Sequence, residues 1–151
     1  MKIKISILFF LICFLGFANA QWQPVNGPFG GQINCFAISD SNIYAGSNFN
    51  GVYMSSNNGT SWTTINGIGF GSLNGFSISA MIVSGNNIFV GAGNGVYLST
   101  NNGKSWISEN TGFPEFESIR VYAFAIKSNN IFVGTNVGVI FHQIMEQVGL
   151  Q

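Results

Sequence analysis

The chain has 151 residues, of which 46% are hydrophobic, 15% are aromatic and 7% carry a charge, and its formal net charge is zero. So few cations cannot form a basic face, which argues against nucleic acid as a partner. The surface must instead be solvated by Asn, Ser, Thr and Gly, and such a surface makes no electrostatic demand on a partner.

The first 20 residues have the pattern of a secretory signal peptide. Lys2 and Lys4 form a basic head, residues 5–17 are almost entirely apolar, and residues 18–20 are small at the positions that a signal peptidase recognises. As a helix, about 13 apolar residues reach only about 20 Å, short of the roughly 30 Å core of a bilayer. We therefore expect cleavage after Ala20, a secreted or cell-envelope location, and no membrane span afterwards.

Cleavage would leave Cys35 as the one cysteine, so no intramolecular disulfide can form even in an oxidising compartment. Cys35 follows Asn34 and precedes Phe36 in an apolar strand, and no base is near it in sequence. This context indicates a small buried apolar residue and not a reactive thiol. The fold of the exported chain must depend on packing.

From residue 22 the chain repeats a pattern of short strands and turns about every 40 to 45 residues. The strands are rich in Val, Ile, Phe and Tyr, and Asn, Ser and Gly separate them. Runs of consecutive apolar residues, as in 87–91, are typical of strands covered on both faces. In chain order the predicted strands are 22–25, 33–39, 42–46, 51–55, 61–65, 78–83, 87–91, 95–99, 105–108, 121–126, 130–134 and 138–141.

These elements predict an all-β fold, a β-propeller-like array of about three four-stranded antiparallel blades. The repeat domain covers 21–151, with units at about 22–61, 62–105 and 106–144. The third unit loses the pattern at His142, and residues 22–25 would then supply its missing strand. Three blades are fewer than the usual four to eight. The array is therefore partial or truncated, or it associates to complete a ring.

A phrase of the form Ser-x-Asn-x-Gly-x-Ser-Trp ends the first two complete units. It resembles the Asp-box of the bacterial neuraminidase repeat, found in sialidases, sortilin-type receptors, xyloglucanases and photosystem II assembly factors, with Asn in place of the usual Asp. We expect the Asn to accept backbone hydrogen bonds two residues on, the Gly to adopt positive φ and the Trp to pack beneath the turn. The residues concerned are Ser55, Asn57, Gly59, Trp62, Ser99, Asn101, Gly103 and Trp106.

The resemblance implies that these turns are structural and lie at the blade periphery, away from any active centre. An active sialidase of the resembling families would need three arginines, but Arg120 is alone in the chain. The turns bring no carboxylate for calcium, and His142 with one cysteine cannot complete a usual zinc site. We therefore expect no catalytic residue, no cofactor and no metal.

The acidic residues provide no clear carboxylate pair of the kind that glycosidases use. Asp40 lies in a predicted turn, and the other candidates lie in one long loop, where solvated side chains are the expectation. These candidates are Glu109, Glu115 and Glu117.

Three functions remain open. The first is a secreted, non-enzymatic module that binds a protein or carbohydrate, with loops 67–75 and 110–118 on one face. The second is a truncated piece of a sialidase-like or other glycosidase-like enzyme, and the third is an exported structural repeat protein that self-associates through exposed blade edges. Four loop aromatics either stack on a ligand or fill gaps between blades, and the second role is favoured. They are Phe70, Phe76, Phe113 and Phe116.

Overall fold

A computed structural model describes residues 21–29, 31–73, 75, 77–114 and 118–143. The predicted signal peptide lies outside them. Within the described residues the chain is all-β apart from a 3-10 helix at Phe70–Leu73. The strands are β1 (Ile33–Ser39), β2 (Asn42–Ser47), β3 (Val52–Ser55), β4 (Thr63–Thr64), β5 (Ala80–Ser84), β6 (Asn87–Ala92), β7 (Gly95–Ser99), β8 (Ile107–Ser108), β9 (Val121–Lys127), β10 (Asn130–Thr135) and β11 (Gly138–Gln143).

The strands form three antiparallel sheets in which consecutive strands pair. Sheet 1 has the order β1-β2-β3-β4, sheet 2 has β5-β6-β7-β8, and sheet 3 has β9-β10-β11. The first hairpin of every sheet has a two-residue turn whose first residue is left-handed, with φ of 51° at Asp40, 56° at Gly85 and 55° at Ser128. Positive φ in such turns matches the twist of the flanking strands. The predicted all-β array of three blades is confirmed. The fourth strands of sheets 1 and 2 are shorter than predicted, with two residues each.

Residues 22–25 do not form the predicted strand. Trp22 is fully exposed, and Val25 lies 3.7 Å from the position of a Cβ on Gly59, in the turn after β3. The hydroxyl of Tyr53 donates to the carbonyl of Phe29 at 3.3 Å. The segment therefore lies against sheet 1, whereas β11 belongs to sheet 3, on the far side of sheet 2. Among the described residues no strand pairs with this segment, and the carbonyl of Val25 accepts the N–H of Gly27 at 3.0 Å within the segment's own turn.

The third unit keeps its register further than predicted. β11 continues through His142, which pairs with Ile131, to Gln143, which pairs with Asn130. Among the described residues, sheet 3 has three strands. β11 is therefore the outer strand of that sheet in the described part of the chain.

The core consists of two apolar layers, one on each side of sheet 2. The first layer lies between sheets 1 and 2 and includes Tyr44, Val52 and Ile88, and the second lies between sheets 2 and 3 and includes Phe89 and Val133. Sheets that stack face to face through interdigitated side chains stabilise each other by burying apolar area. No helix in the described ranges has the length and apolarity to span a bilayer.

Candidate functional site

The first copy of the Ser-x-Asn-x-Gly-x-Ser-Trp phrase, residues 55–62, forms the turn between β3 and β4. Its side chains form hydrogen bonds with its own backbone. Ser55 Oγ accepts the N–H of Gly59 at 2.9 Å and that of Asn57 at 3.4 Å. Asn57 Oδ1 accepts the N–H of Ser61 at 2.9 Å, and its Nδ2 donates to the Ser61 hydroxyl at 2.8 Å. Gly59 has φ of 82°, a region that favours glycine. The polar groups of the phrase thus hold the turn closed.

The second phrase, between β7 and β8, repeats this network. Ser99 Oγ accepts the N–H of Gly103 at 2.8 Å, and Asn101 Oδ1 accepts the N–H of Ser105 at 2.8 Å. The prediction that the Asn bonds two residues on is wrong, since its acceptor reaches the fourth residue. Left-handed Asn102 (φ 56°) and Gly103 (φ 81°) curl the chain back and bring that N–H within reach.

The two tryptophans that follow these turns differ in their surroundings. Trp106 is 3% exposed, its Nε1 donates to the carbonyl of Ile65 at 2.9 Å, and the Phe70 ring meets it edge-on at 5.7 Å. Trp62 is half-buried beside Gly59, and its buried Nε1 finds no acceptor among the described residues. Trp106 therefore joins sheet 2 to the loop that leaves sheet 1, while Trp62 makes no equivalent bond.

The loop aromatics that the structure describes fill gaps between sheets. Phe70 is 4% exposed and belongs to the first apolar layer, and Phe113 packs against the second. The expectation of gap filling is confirmed for these two residues. Phe76 and Phe116 lie outside the described residues.

The candidate acid, base and nucleophile residues are dispersed. Glu109 and His142 line one cavity of about 90 Å³ between sheets 2 and 3, too small for a ligand pocket of the usual 300 Å³ or more. Asp40 lies in the β1–β2 turn, and Glu115 and Glu117 lie outside the described residues. In the described ranges no three His, Cys, Asp or Glu side chains come together as they would around a metal ion.

The Cys35 thiol is half-buried in the first apolar layer, with its Sγ 3.8 Å from the carbonyl of Ile78. Burial raises its pKa to about 11, against a smaller opposing effect of a backbone hydrogen bond from Gly46. The thiolate is the nucleophilic form, and at neutral pH almost none is present. The structure places Cys35 as a packing residue.

An open groove of about 330 Å³ lies between sheets 2 and 3, beside the starts of β5 and β9. Arg120 is exposed and Tyr122 is 59% exposed there. The N–H of Arg120 donates to Asn136 Oδ1 at 2.8 Å, which fixes the backbone at this point. The lining consists of Ser77, Ser79, Ala92, Gly93, Ser118, Arg120, Val121 and Tyr122.

The described lining of the groove brings an exposed guanidinium on a hydrogen-bonded backbone, an exposed phenol ring and several hydroxyls, and this described lining includes no carboxylate. A guanidinium offers several N–H donors in a planar fork, and an aromatic ring offers a flat apolar face. Together they suit a ligand rich in hydroxyl or other acceptor oxygens.

The sequence alone points to neither groove residue: Arg120 is considered there only as a catalytic arginine, and Tyr122 is not singled out. Aligning the repeats on their buried strand starts, Ile78 and Val121, would have shown a signal, because Arg120 and Tyr122 then occupy the places of Ser77 and Ser79. Two large side chains replace two small ones at the mouth of one inter-sheet groove.

No family model matches the chain, and neither does any curated protein. Solved structures are similar to it. Over 76% of its length the chain is 31% identical to an ancestral GH74 enzyme, with a TM-score of 0.54, and it covers 15% of that enzyme. It is 18% identical over 63% of its length to the GH74 xyloglucanase of Xanthomonas campestris, with a TM-score of 0.50 and 16% of that chain covered.

These GH74 neighbours are β-propeller enzymes. The chain has part of a β-propeller fold, an array of three blades. A computationally designed protein, Ika8, is also similar, at 17% identity over 75% of this chain and 33% of that one, with a TM-score of 0.56. The chain therefore corresponds to a fraction of the length of the GH74 enzymes that it matches.

Proposed function

We propose that this chain is an exported, non-enzymatic β-propeller module that binds a carbohydrate in the groove between sheets 2 and 3. The observation that carries the proposal is the groove itself, whose volume of about 330 Å³ lies in the range of small-ligand sites. Its exposed Arg120 and Tyr122 stand on a backbone held by hydrogen bonds.

The chemistry of the lining favours binding without hydrolysis. Glycoside hydrolysis ordinarily requires two carboxyl groups on either side of the scissile bond, whereas the residues of the groove that the structure describes bring hydroxyls, one guanidinium and one phenol. The identity of 31% with an ancestral GH74 enzyme, together with the similar fold of a GH74 xyloglucanase, supports a polysaccharide as the ligand class.

The test is calorimetric titration with xyloglucan oligosaccharides. Tyr122→Ala and Arg120→Ala should each weaken binding about tenfold to a hundredfold, the loss expected for hydrogen bonds to a charged group or for an aromatic contact. Tyr122→Phe should keep most of the affinity because the ring remains. No reducing ends should appear on prolonged incubation.

Lys127→Ala is the matched control for Arg120→Ala. Lys127 is an exposed cation at the far end of β9, about 20 Å along the strand, and its removal should leave affinity unchanged. Binding that persists in both groove variants would contradict the proposed site. If no glycan binds and a protein is captured in a groove-dependent way, the ligand class proposed here is wrong.

Export is the second part of the proposal, and it rests on the pattern of the first 20 residues. Expression with the native leader in an exporting host should yield a protein outside the cytoplasm whose N-terminal residue is Gln21. A product that keeps Met1 and stays in the cytoplasm would refute it.

A second candidate is a piece of a glycosidase propeller, favoured by the coverage of only 15% of the GH74 enzyme to which the chain is 31% identical. On this hypothesis the flanking coding sequence contains further repeats with the acidic residues that hydrolysis needs. Sequencing the flanking region distinguishes the two candidates.

A further inference from the structure

Sheet 2 shows how neighbouring sheets contact each other in this chain. Its upstream face, which includes Met81 and Ile88, packs against sheet 1. Its downstream face, which includes Phe89, Val96 and Leu98, packs against sheet 3. Each apolar layer therefore joins the downstream face of one sheet to the upstream face of the next.

The two end sheets expose the faces that sheet 2 buries. The hairpin registers, which pair Ser39 with Asn42 and Ser84 with Asn87, align Phe36 of β1 with Met81 of β5. Met81 is 8% exposed, but Phe36 is 60% exposed. Ile38, two residues further along β1 on the same face, is 71% exposed. The β1 part of the upstream face of sheet 1 is therefore an uncovered apolar surface, whereas Ala45 of β2, which pairs with Phe36, is buried.

The downstream face of sheet 3 is uncovered in the same way. Val139 is the counterpart of Val96 and is 75% exposed, whereas Val96 is 3% exposed. Phe141, the counterpart of the partly buried Leu98, is 65% exposed. The exposed faces at the two ends of the row are thus the two halves of one inter-sheet layer.

The fourth strand of sheets 1 and 2 is followed by an asparagine that reaches back to the third strand. Asn66 Oδ1 accepts the N–H of Val52 at 2.9 Å, and Asn110 Oδ1 accepts the N–H of Val96 at 2.8 Å. The residue of sheet 3 that corresponds to Val52 and Val96 is Val139. Among the described residues nothing lies within 4 Å of a Cβ built on the preceding Gly138. This position can therefore receive an asparagine from outside the described sheet.

Residues 22–26, Trp-Gln-Pro-Val-Asn, match residues 62–66, Trp-Thr-Thr-Ile-Asn. Pro24 falls at the place of Thr64. In sheet 1 the N–H of Ile65 donates to the carbonyl of Val52 at 3.0 Å, so alternation directs the N–H at position 64 away from β3. Proline is tolerated at such an outward position of an edge strand. The segment keeps the residues of a fourth strand and its asparagine.

Trp62 independently indicates that residues 22–25 can form a fourth strand. Its counterpart Trp106 donates to the carbonyl of Ile65, the residue that matches Val25. The carbonyl of Val25 instead accepts the N–H of Gly27 at 3.0 Å, and the buried Nε1 of Trp62 has no acceptor among the described residues. Extending residues 22–25 as a strand would release that carbonyl toward Trp62 and satisfy a buried donor.

We propose that two copies of this chain associate head to tail, each adding residues 22–25 as a fourth strand to β11 of the other copy. The downstream face of sheet 3 then covers the upstream face of sheet 1 of the second copy, with Asn26 bonded at Val139. Two copies place six blades in the ring, within the four to eight of ordinary propellers, whereas three copies would exceed that number. Both interfaces of the pair are equivalent by symmetry.

The first test is the solution mass of the exported full chain, by light scattering over a dilution series. The expected result is a dimer that Phe141→Lys converts to monomer. Phe49→Lys removes an equally exposed phenylalanine (62%) from the loop after β2 and should leave the dimer intact. A monomer in the unmodified chain, or a dimer that survives Phe141→Lys with unchanged dissociation constant, would overturn the proposal.

Cross-linking tests the strand pairing itself. Thr63 and Met54 are opposite each other in sheet 1, so Gln23 and Phe141 should be opposite each other across the copies. Cβ atoms of such pairs are about 4.5 to 5.5 Å apart, close enough for a disulfide after small adjustment. In a Cys35→Ser background, mixing Gln23→Cys chains with Phe141→Cys chains should give a covalent dimer. A disulfide within one chain of the double variant, with none between mixed chains, would overturn the exchange.

Discussion

Replacing the two turn tryptophans tests whether the turns anchor one sheet to the next. Trp106→Ala removes a side chain that is 3% exposed, and burial of this kind is worth about 3 to 5 kcal/mol. It also removes the edge-to-face contact with Phe70, worth about 0.5 to 1.5 kcal/mol, and leaves the carbonyl of Ile65 without its donor. We expect a loss near the upper end of that range, about 5 kcal/mol.

Trp62→Ala is the matched comparison, and both alanine variants are made in the monomeric Phe141→Lys background, where Trp62 keeps the surroundings that it has in a single chain. Trp62 is half-buried and its Nε1 makes no hydrogen bond among the described residues, so partial loss of apolar burial predicts about 2 kcal/mol. Urea denaturation followed by far-ultraviolet circular dichroism measures both losses on one scale. A domain of this size is stable by only about 5 to 15 kcal/mol, so Trp106→Ala approaches the limit of folding.

Trp106→Phe keeps the measurement possible if the alanine variant does not fold. It retains an aromatic ring against Phe70 and loses the N–H to Ile65, so the expected cost is about 1 to 2 kcal/mol for the unpaired carbonyl and the altered packing. Equal losses for Trp106→Ala and Trp62→Ala, or a loss below about 1 kcal/mol for Trp106→Ala, would refute the anchoring role of the indole.

Three further outcomes are expected. Asn101→Ala should cost about 1 to 2 kcal/mol in urea denaturation because the N–H of Ser105 loses its acceptor, whereas Asn101→Asp keeps that oxygen and should stay near wild type. Gly67→Ala should cost about 1 to 3 kcal/mol, since its Cβ would overlap a backbone carbonyl of the second turn, while Gly71→Ala, with open space around it, should be neutral. Iodoacetamide should label Cys35 slowly at pH 8, because burial raises the pKa of its thiol to about 11. The stability that the buried thiol contributes should be present below pH 9 and lost as the pH rises toward 11. The Cys35→Ala variant should not show this loss.

The strand pattern could be predicted from the sequence because its signals are local. The strands that begin at Ile33 and Asn87 are rich in apolar residues, and two-residue turns join them to their neighbours. Together these features specify hairpins without reference to distant residues. Residues 22–25 carry the same local signals and yet form no strand. A strand also needs a partner edge, and in one chain the segment lies against sheet 1, at the opposite end of the row from β11.

The groove could not be predicted in the same way. Its lining comes from the ends of strands in two repeats, and only the stacking of sheets 2 and 3 brings Ser77, Gly93 and Arg120 together.

The hydrogen-bond networks of the turns, in contrast, are local in sequence and could be predicted in part. Ser55 and Asn57 bond within seven residues of sequence, so the phrase alone indicates that a turn forms. The phrase does not reveal that Asn57 reaches the fourth residue along, which depends on the left-handed backbone at Asn58 and Gly59.

The differences between repeats carry more information about function than the repetition does. Positions that recur, such as Gly46 and Gly91, face the side chains of Ile78 and Val121 of the next repeat, and a Cβ there would collide with them. These positions are fixed by stacking and say nothing about a ligand. Ser77 and Ser79 lie beside the same stacking contact and are half-buried, whereas Arg120 and Tyr122, at the same places of the following repeat, are exposed. The double variant Arg120→Ser, Tyr122→Ser gives these two places the residues of the preceding repeat and should therefore abolish glycan binding. Its free energy of unfolding should stay within about 0.5 kcal/mol of wild type, as expected for surface substitutions.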